Sequence, residues 1–392
     1  MPNSLIESAL GGTVQKVNPE QPASSNGKSK DDLELESIAD QLSVCIKLFG
    51  CGGAGCNTIT RCVEGGLSGV QLTALNTDAK HLLTVKSQRK ILIGKVTTRG
   101  LGAGARPEVG EKAAMENEQE IKEALKGGEI IFVTAGMGGG TGTSSSFVTA
   151  RLAKEMRALT VGVVTLPFRS EGELRMENAM AGLSRLAKVC DTTIVIPNDT
   201  LIELVPNLPV QAAFKVADEL LLQTIAGLTD MLTRSGLVNV DYADLRTILN
   251  EGGVSLIGVG EGSGKSGDRV EDAIEQAMDS PLLGKIDLRD ARGALIRVLG
   301  GPDMSIEEAA KAAEMISSRI RPDARLIWGC SVEPEMENKV KILLIVTGAR
   351  SQYVLMRDGT DPVITRTGED YKGDVNMPPN VHRDDDLSVF VR

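Results

Sequence analysis

The sequence predicts an α/β fold: a Rossmann-like parallel-sheet domain, a long central helix and a smaller α+β C-terminal domain. Between residues 43 and 196, short apolar runs alternate with longer amphipathic ones. That is the pattern of strands joined by crossover helices, and so of a mainly parallel sheet covered on both faces. The stretch 210–232, VQAAFKVADELLLQTIAGLTDML, is apolar on more than one helical face, as a helix buried between two domains must be. With 392 residues and 41% hydrophobic content, the chain can bury a large core and still carry two domains and tails.

In chain order, residues 1–30 are rich in Ser, Asn, Gly, Pro and Lys without periodicity and read as a disordered arm. Residues 31–42, DDLELESIADQL, start acidic and repeat apolar residues at helical spacing, which predicts a short helix. Strands are expected at 43–49, 70–75, 90–93, 129–135, 160–166 and 192–196, with helices near 54–65, 107–126, 142–157 and 173–188. After the long helix come strands at 253–260, 293–300, 324–332 and 339–347, and helices near 241–250, 268–279 and 305–320. The expected organisation is an arm (1–30), a ligand-binding domain with its N-terminal helix (31–208), the central helix (209–234), the C-terminal domain (235–348) and a polar tail (349–392). The tail closes on an acidic run and Leu387-Ser388-Val389-Phe390-Val391, which reads either as a frayed end or as a peptide that adds a strand to a partner's sheet or docks in a groove.

Composition excludes several classes. No run of about 18 apolar residues exists and the N-terminus has no apolar signal core, so a cytoplasmic chain without a membrane span is expected. A net charge of −10 disfavours nucleic acid as a partner. The six cysteines (Cys45, Cys51, Cys56, Cys62, Cys190 and Cys330) are scattered with no C-x-x-C pair, which argues against a zinc or redox motif, and Cys51 and Cys56, inside a Gly-rich turn, read as reduced, partly buried thiols. Two histidines, His81 and His382, argue against a His-based metal site or a Ser-His-Asp hydrolase. Catalysis must then run on carboxylates, backbone dipoles and a bound ion.

The motif with most chemical content is Gly136-Met137-Gly138-Gly139-Gly140-Thr141-Gly142-Thr143, between the strand EIIFVTA and a helix-prone stretch. Glycines let the backbone approach a ligand closely, and the helix that follows points free N–H groups and its positive dipole end at the loop, so the motif reads as a phosphate cradle. A second such turn, Gly50-Cys51-Gly52-Gly53-Ala54-Gly55-Cys56-Asn57, fits G-x-G-x-x-G. With Asp78 about twenty residues on, that turn alone leaves a dinucleotide-dependent oxidoreductase open. A third, Thr98 to Pro107, contains Gly102, Ala103 and Gly104 and also precedes a helix. Gly264-Lys265-Ser266 is no P-loop, because Val259 stands where the leading glycine must be, and the run from Gly258 reads as a solvent loop ending a strand. Three phosphate-facing loops imply a triphosphate.

Gly138-Gly139-Gly140-Thr141-Gly142-Thr143-Ser144 resembles the signature of the FtsZ branch of the tubulin/FtsZ family. The order of further motifs agrees over roughly 43–348: Gly52-Gly53-Ala54-Gly55-Cys56-Asn57, Asn76-Thr77-Asp78-Ala79, Gly100 to Gly104, Pro167-Phe168 with Glu171 and Arg175, Ile196-Pro197-Asn198-Asp199, and Asn239 to Asp244. The resemblance implies a GTP/GDP site with Mg²⁺ on the phosphates, and K⁺ as a second ion it leaves open. In it, Glu171 accepts from the ribose hydroxyls, Arg175 offers a cation near the phosphates or ribose, Asn198 and Asp218 read the guanine edge, and Phe214 stacks on the ring. Phe214 and Asp218 are four apart and so share a helix face; without the resemblance they read as a core Phe and a solvated Asp. Asn239, Asp241 and Asp244 alone read as helix-start residues; the resemblance implies that they reach the nucleotide of the next subunit and position the attacking water. It further implies head-to-tail filaments, a division ring at mid-cell, an adaptor that tethers the tail to the membrane, and co-filaments with a paralogue. Two positions, Arg106 before Pro107 and Lys80 after Ala79, depart from the family pattern. A structural or regulatory filament paralogue with weak hydrolysis is the alternative.

Overall fold

The computed structural model describes residues 44–204, 210–233, 240–250, 253–264, 268–284 and 288–348. The arm, the helix expected at 31–42 and the tail lie outside the described residues, as does Asn239. The first part of the chain runs β1 (Ile46–Cys51), α1 (Gly52–Glu64), β2 (Val70–Asn76), α2 (Ala79–Thr84), β3 (Arg89–Leu92), α3 (Pro107–Glu116), α4 (Glu118–Leu125), β4 (Ile130–Gly136), α5 (Thr141–Glu155), β5 (Leu159–Leu166), α6 (Glu173–Val189), β6 (Thr192–Pro197) and α7 (Asn198–Leu204). The long helix α8 (Val210–Thr233) follows, then α9 (Tyr242–Asn250), β7 (Gly253–Ser263), α10 (Asp268–Met278), β8 (Gly293–Gly300), α11 (Ile306–Ser317), β9 (Arg325–Val332) and β10 (Lys339–Thr347).

All ten strands join one sheet, ordered β3-β2-β1-β4-β5-β6-β7-β10-β8-β9. The first six are parallel, and the order reverses between β1 and β4, the switch point at which such sheets receive ligands. Strand residues alternate between two cores. Ile46, Leu48, Ile130 and Phe132 face α1 and α8, while Phe49, Cys51, Ile131 and Val133 face α5 and α6. Burial on both faces is why these strands read as unbroken apolar runs. Pairing of Thr192–Ile194 with Gly253–Ser255 carries the sheet into its C-terminal part, reinforced by a buried 2.6 Å hydrogen bond between the Thr192 and Ser255 hydroxyls. There β10 lies antiparallel to both β7 and β8, the α+β pattern expected of the smaller domain.

Three sequence expectations change. The helix expected at 107–126 is two helices, broken at Asn117, whose side-chain carbonyl accepts a 2.8 Å hydrogen bond from the Gly94 N–H beyond β3. The segment from Gly258 is strand rather than loop, because β7 runs on to Ser263. A Cβ on Gly258, Gly260 or Gly262 would sit 2.0, 1.9 or 1.7 Å from the carbonyl oxygens of Ala277, Ala273 and Arg269. Every second residue of this stretch is therefore glycine so that α10 can lie directly on the strand. Cys51 and Cys56 are free as expected but fully buried, which pushes the Cys51 thiol up to about 12 and raises that of Cys56 too.

Because the oxygen facing Gly260 belongs to helix backbone that cannot swing aside, Gly260→Val should destabilise the fold by about 1–3 kcal/mol. A lowered midpoint in urea unfolding checks this.

Candidate active site

Each of the first six strands leads at its carboxyl end into expected site residues. Gly52, Gly53, Ala54, Gly55 and Asn57 follow β1; Asn76 and Asp78 close β2; Gly102, Ala103 and Gly104 lie between β3 and α3. Gly136 to Gly140 follow β4, Pro167 and Glu171 follow β5, and Asn198 follows β6. The two Gly-rich turns meet backbone to backbone: a Cβ on Gly52, which has φ +71°, would lie 2.6 Å from the Gly142 nitrogen. Gly138, at φ +97°, leaves no room for a side chain beneath the Arg175 carbonyl, 2.6 Å from its would-be Cβ. Its N–H donates to Thr143 Oγ1 at 2.8 Å, and the hydroxyls of Thr77 and Thr141 bridge neighbouring turns at 2.6 Å. A Cβ on Gly53, Gly102, Gly104 or Gly139 would meet nothing within 4 Å, so these four face open space around the cradle.

Helices α1 and α5 both start here without a side-chain cap and without an acidic residue in the first turn. Their leading N–H groups and positive dipole ends thus converge uncompensated, the arrangement that holds an anion. The third turn, after β3, docks through backbone on the segment that joins β2 to α2: the Ala79 N–H donates to the Gly100 carbonyl at 3.1 Å and the Gly102 N–H to that of Thr77 at 3.2 Å. Arg106 is exposed, its side chain does not cap α3, and its backbone abuts Gly140. This departure from the family pattern leaves the loop's packing intact.

Beside the turns, Glu171 accepts from the Phe168 N–H at 2.9 Å and pairs with the half-exposed Arg175 at 3.1 Å. Asn198 is 5% exposed, and its side-chain carbonyl oxygen has no hydrogen-bond partner. A buried acceptor left unpaired costs free energy unless a ligand supplies the donor. The ring of Phe214 meets Phe168 edge to face at 5.3 Å yet stays 42% exposed. Four residues on, burial pushes the Asp218 carboxyl up to about 6, against the Arg61 charge and the Thr58 hydroxyl of α1, which favour the ionised form. Phe168 is the residue that sequence reasoning passed over, although its place beside Pro167 in the matched motif was visible.

Asp241 and Asp244 are not brought to this edge. They stand exposed at the start of α9, which is anchored by buried Leu245, Ile248 and Leu249. The chain from α9 enters β7 where it pairs with Thr192, the first residue of β6. Tyr242 interacts with Glu129 and Asp191, which immediately precede β4 and β6. The aspartates therefore lie at the amino edge of the sheet. The strands between hold six to eight residues, so about 20–26 Å separates the two edges.

A cradle of glycine-rich turns and uncapped helix starts at the switch point of a parallel sheet defines the class: an α/β protein built to bind an anionic ligand at the carboxyl edge of its strands. Residues 45–206 match the family model for the tubulin/FtsZ GTPase domain, and residues 253–350 that for the FtsZ C-terminal domain. Cell division protein FtsZ 1 of Archaeoglobus fulgidus is 49% identical over 370 residues, 94% of this chain and 98% of the relative. FtsZ 1 of Pyrococcus horikoshii is 50% identical over 333 residues, 85% and 88% of the two chains. A structure described as an empty FtsZ dimer from M. jannaschii superposes with a TM-score of 0.79 at 45% identity, covering 90% of this chain and all of that one. The chain belongs to the FtsZ family: it is a tubulin-like GTPase of cell division.

Asp218 also gives a pH prediction. Its carboxyl holds a proton to about pH 6 in the fold against an ordinary value of 3.8, so the native state binds more protons than the unfolded chain in between. This group's contribution to stability therefore falls as pH rises from about 4 to about 6 and is flat above. Asp218→Asn should melt higher than the parent at pH 7.5, with the difference vanishing near pH 4, as thermal unfolding at the two pH values will show.

Proposed function

We propose that the carboxyl-edge turns bind GTP and that Asp241 and Asp244 complete the site of the neighbouring molecule. The observation that carries this is the separation of the two sets of residues across the sheet within one chain. A triphosphate suits the uncapped starts of α1 and α5 and the open faces of Gly53, Gly102, Gly104 and Gly139, with Gly140, Thr141, Gly142 and Thr143 forming the floor. Glu171 accepts from the ribose hydroxyls, and Arg175, paired with it, offers a cation near the phosphates or the ribose. Asn198 Oδ1, unpaired and buried, accepts from the guanine amino group, Asp218 accepts from the same edge once ionised, and Phe214 offers its exposed ring to the base.

For hydrolysis, the chain's own groups position and polarise. Backbone N–H groups of the turns hold charge that develops on the phosphates, and a carboxylate from the adjoining molecule orients the attacking water. Among the described residues no three His, Cys, Asp or Glu side chains gather to hold a metal. A Mg²⁺ ion would therefore be held through the nucleotide phosphates rather than by a protein carboxylate cluster, and would supply charge neutralisation there.

A contact in which one edge of the sheet meets the opposite edge of the next copy is heterologous and propagates head to tail into a filament. We extend the reading to a filament at the mid-cell division site, tethered through residues 384–392 to a membrane adaptor and able to co-assemble with a paralogue. The arm, GTP-binding domain, central helix, C-terminal domain and tail keep the boundaries expected above. Sedimentation with GTP against GDP, with phosphate release followed in parallel, tests this: GTP should pellet the chain and GDP should not. Asp241→Ala and Asp244→Ala should still pellet with GTP while releasing phosphate about 100-fold more slowly; parental hydrolysis in either variant would refute their role.

A further inference from the structure

We propose that His81 is a positioning residue of the nucleotide site, fixing the Asn57 amide so that its N–H donors serve the phosphates. The inference rests on the reading above that Asn57 and Asn76 border the nucleotide. His81 is partly buried in the first turn of α2, where its N–H donates to the capping Asp78 carboxylate at 3.0 Å. Its ring lies between two asparagines on different elements. Asn76 Nδ2, at the end of β2, is 3.0 Å from His81 Nδ1, and His81 Nε2 is 3.1 Å from Asn57 Oδ1 on α1.

The direction of each hydrogen bond follows from one end of the chain. The Asp78 N–H can only donate, and it meets Asn76 Oδ1 at 3.3 Å. That fixes the buried Asn76 amide with its NH₂ toward the imidazole, so Nδ1 must accept. The ring proton then sits on Nε2 and is donated to Asn57 Oδ1. With its oxygen committed, Asn57 turns its two N–H donors away from the imidazole. The residue is exposed on the turn of α1 that follows Gly52 to Gly55, where such donors suit an anion. Without the ring, Asn57 is free to flip and present its oxygen to the phosphates instead. A relay from β2 through α2 to α1 thus sets the polarity of one group at the site, and this is the histidine that motif reasoning left without a role.

The test is steady-state GTP hydrolysis by His81→Leu, His81→Gln, Asn57→Ala and the double variant His81→Leu/Asn57→Ala. Leucine keeps the packing and removes both hydrogen bonds, so KM for GTP should rise about tenfold with kcat within about twofold of the parent. Glutamine offers one acceptor and one donor and should restore KM to within about twofold. Because His81 acts through Asn57, the double variant should be no worse than Asn57→Ala. A parental KM in His81→Leu, no rescue by glutamine, or multiplying effects in the double variant would overturn the proposal. A parental KM in Asn57→Ala would instead overturn the placement of Asn57 at the nucleotide, and the inference with it.

Discussion

The width of the parallel sheet is the constraint on which the rest depends. Its central strands are buried on both faces, with Leu48, Phe49, Phe132 and Val133 fully inside two separate cores. Close-packed layers of this kind do not deform to let one edge approach the other. The glycine-rich turns therefore stay at one edge and the acidic start of α9 at the other. A single chain thus presents the two sets of residues on opposite edges, and in the proposed function a second copy brings them together. On the proposed reading, assembly and hydrolysis are coupled because the acidic group reaches the nucleotide only from a neighbouring copy.

The same logic explains the polar features at the carboxyl edge, which are unfavourable in the isolated chain. Asn198 keeps a buried carbonyl oxygen unpaired, Asp218 carries a carboxyl that burial disfavours in its charged form, and Phe214 leaves an aromatic face in water. Each cost is of a kind that a guanine ring removes, by donating to the oxygen, pairing with the carboxylate or covering the ring. Two uncapped helix starts add the complementary tolerance for phosphate. Sites that bind strongly are often those in which the empty protein is left unsatisfied.

Much of this was legible in the sequence, for identifiable reasons. Strand and helix alternation reports burial directly, so the parallel sheet, the long helix and the smaller domain were readable from periodicity. The turns were readable because a strand, a glycine run and a helix in series have few other uses. What escaped was long-range. Asn117 breaks a helix through a bond to Gly94, 23 positions earlier in the chain. Gly258, Gly260 and Gly262 look like a loop until α10 is seen lying on them. Phe168 and His81 meet partners on other elements, and no local pattern announces such pairings. Asp241 and Asp244 were singled out only through resemblance, because within one chain they stand exposed at a helix start and meet no site residue.

A site shared between molecules can be rebuilt by mixing two crippled chains. Asp241→Ala/Asp244→Ala keeps the nucleotide half and lacks the acidic half; Asn198→Ala/Asp218→Ala keeps the acidic half and loses the base contacts. Each alone should release phosphate slowly. An equimolar mixture should regain activity, up to about one quarter of the parental rate, because random head-to-tail contacts pair an intact nucleotide half with an intact acidic half that often. A mixture no more active than the sum of its components would contradict the account.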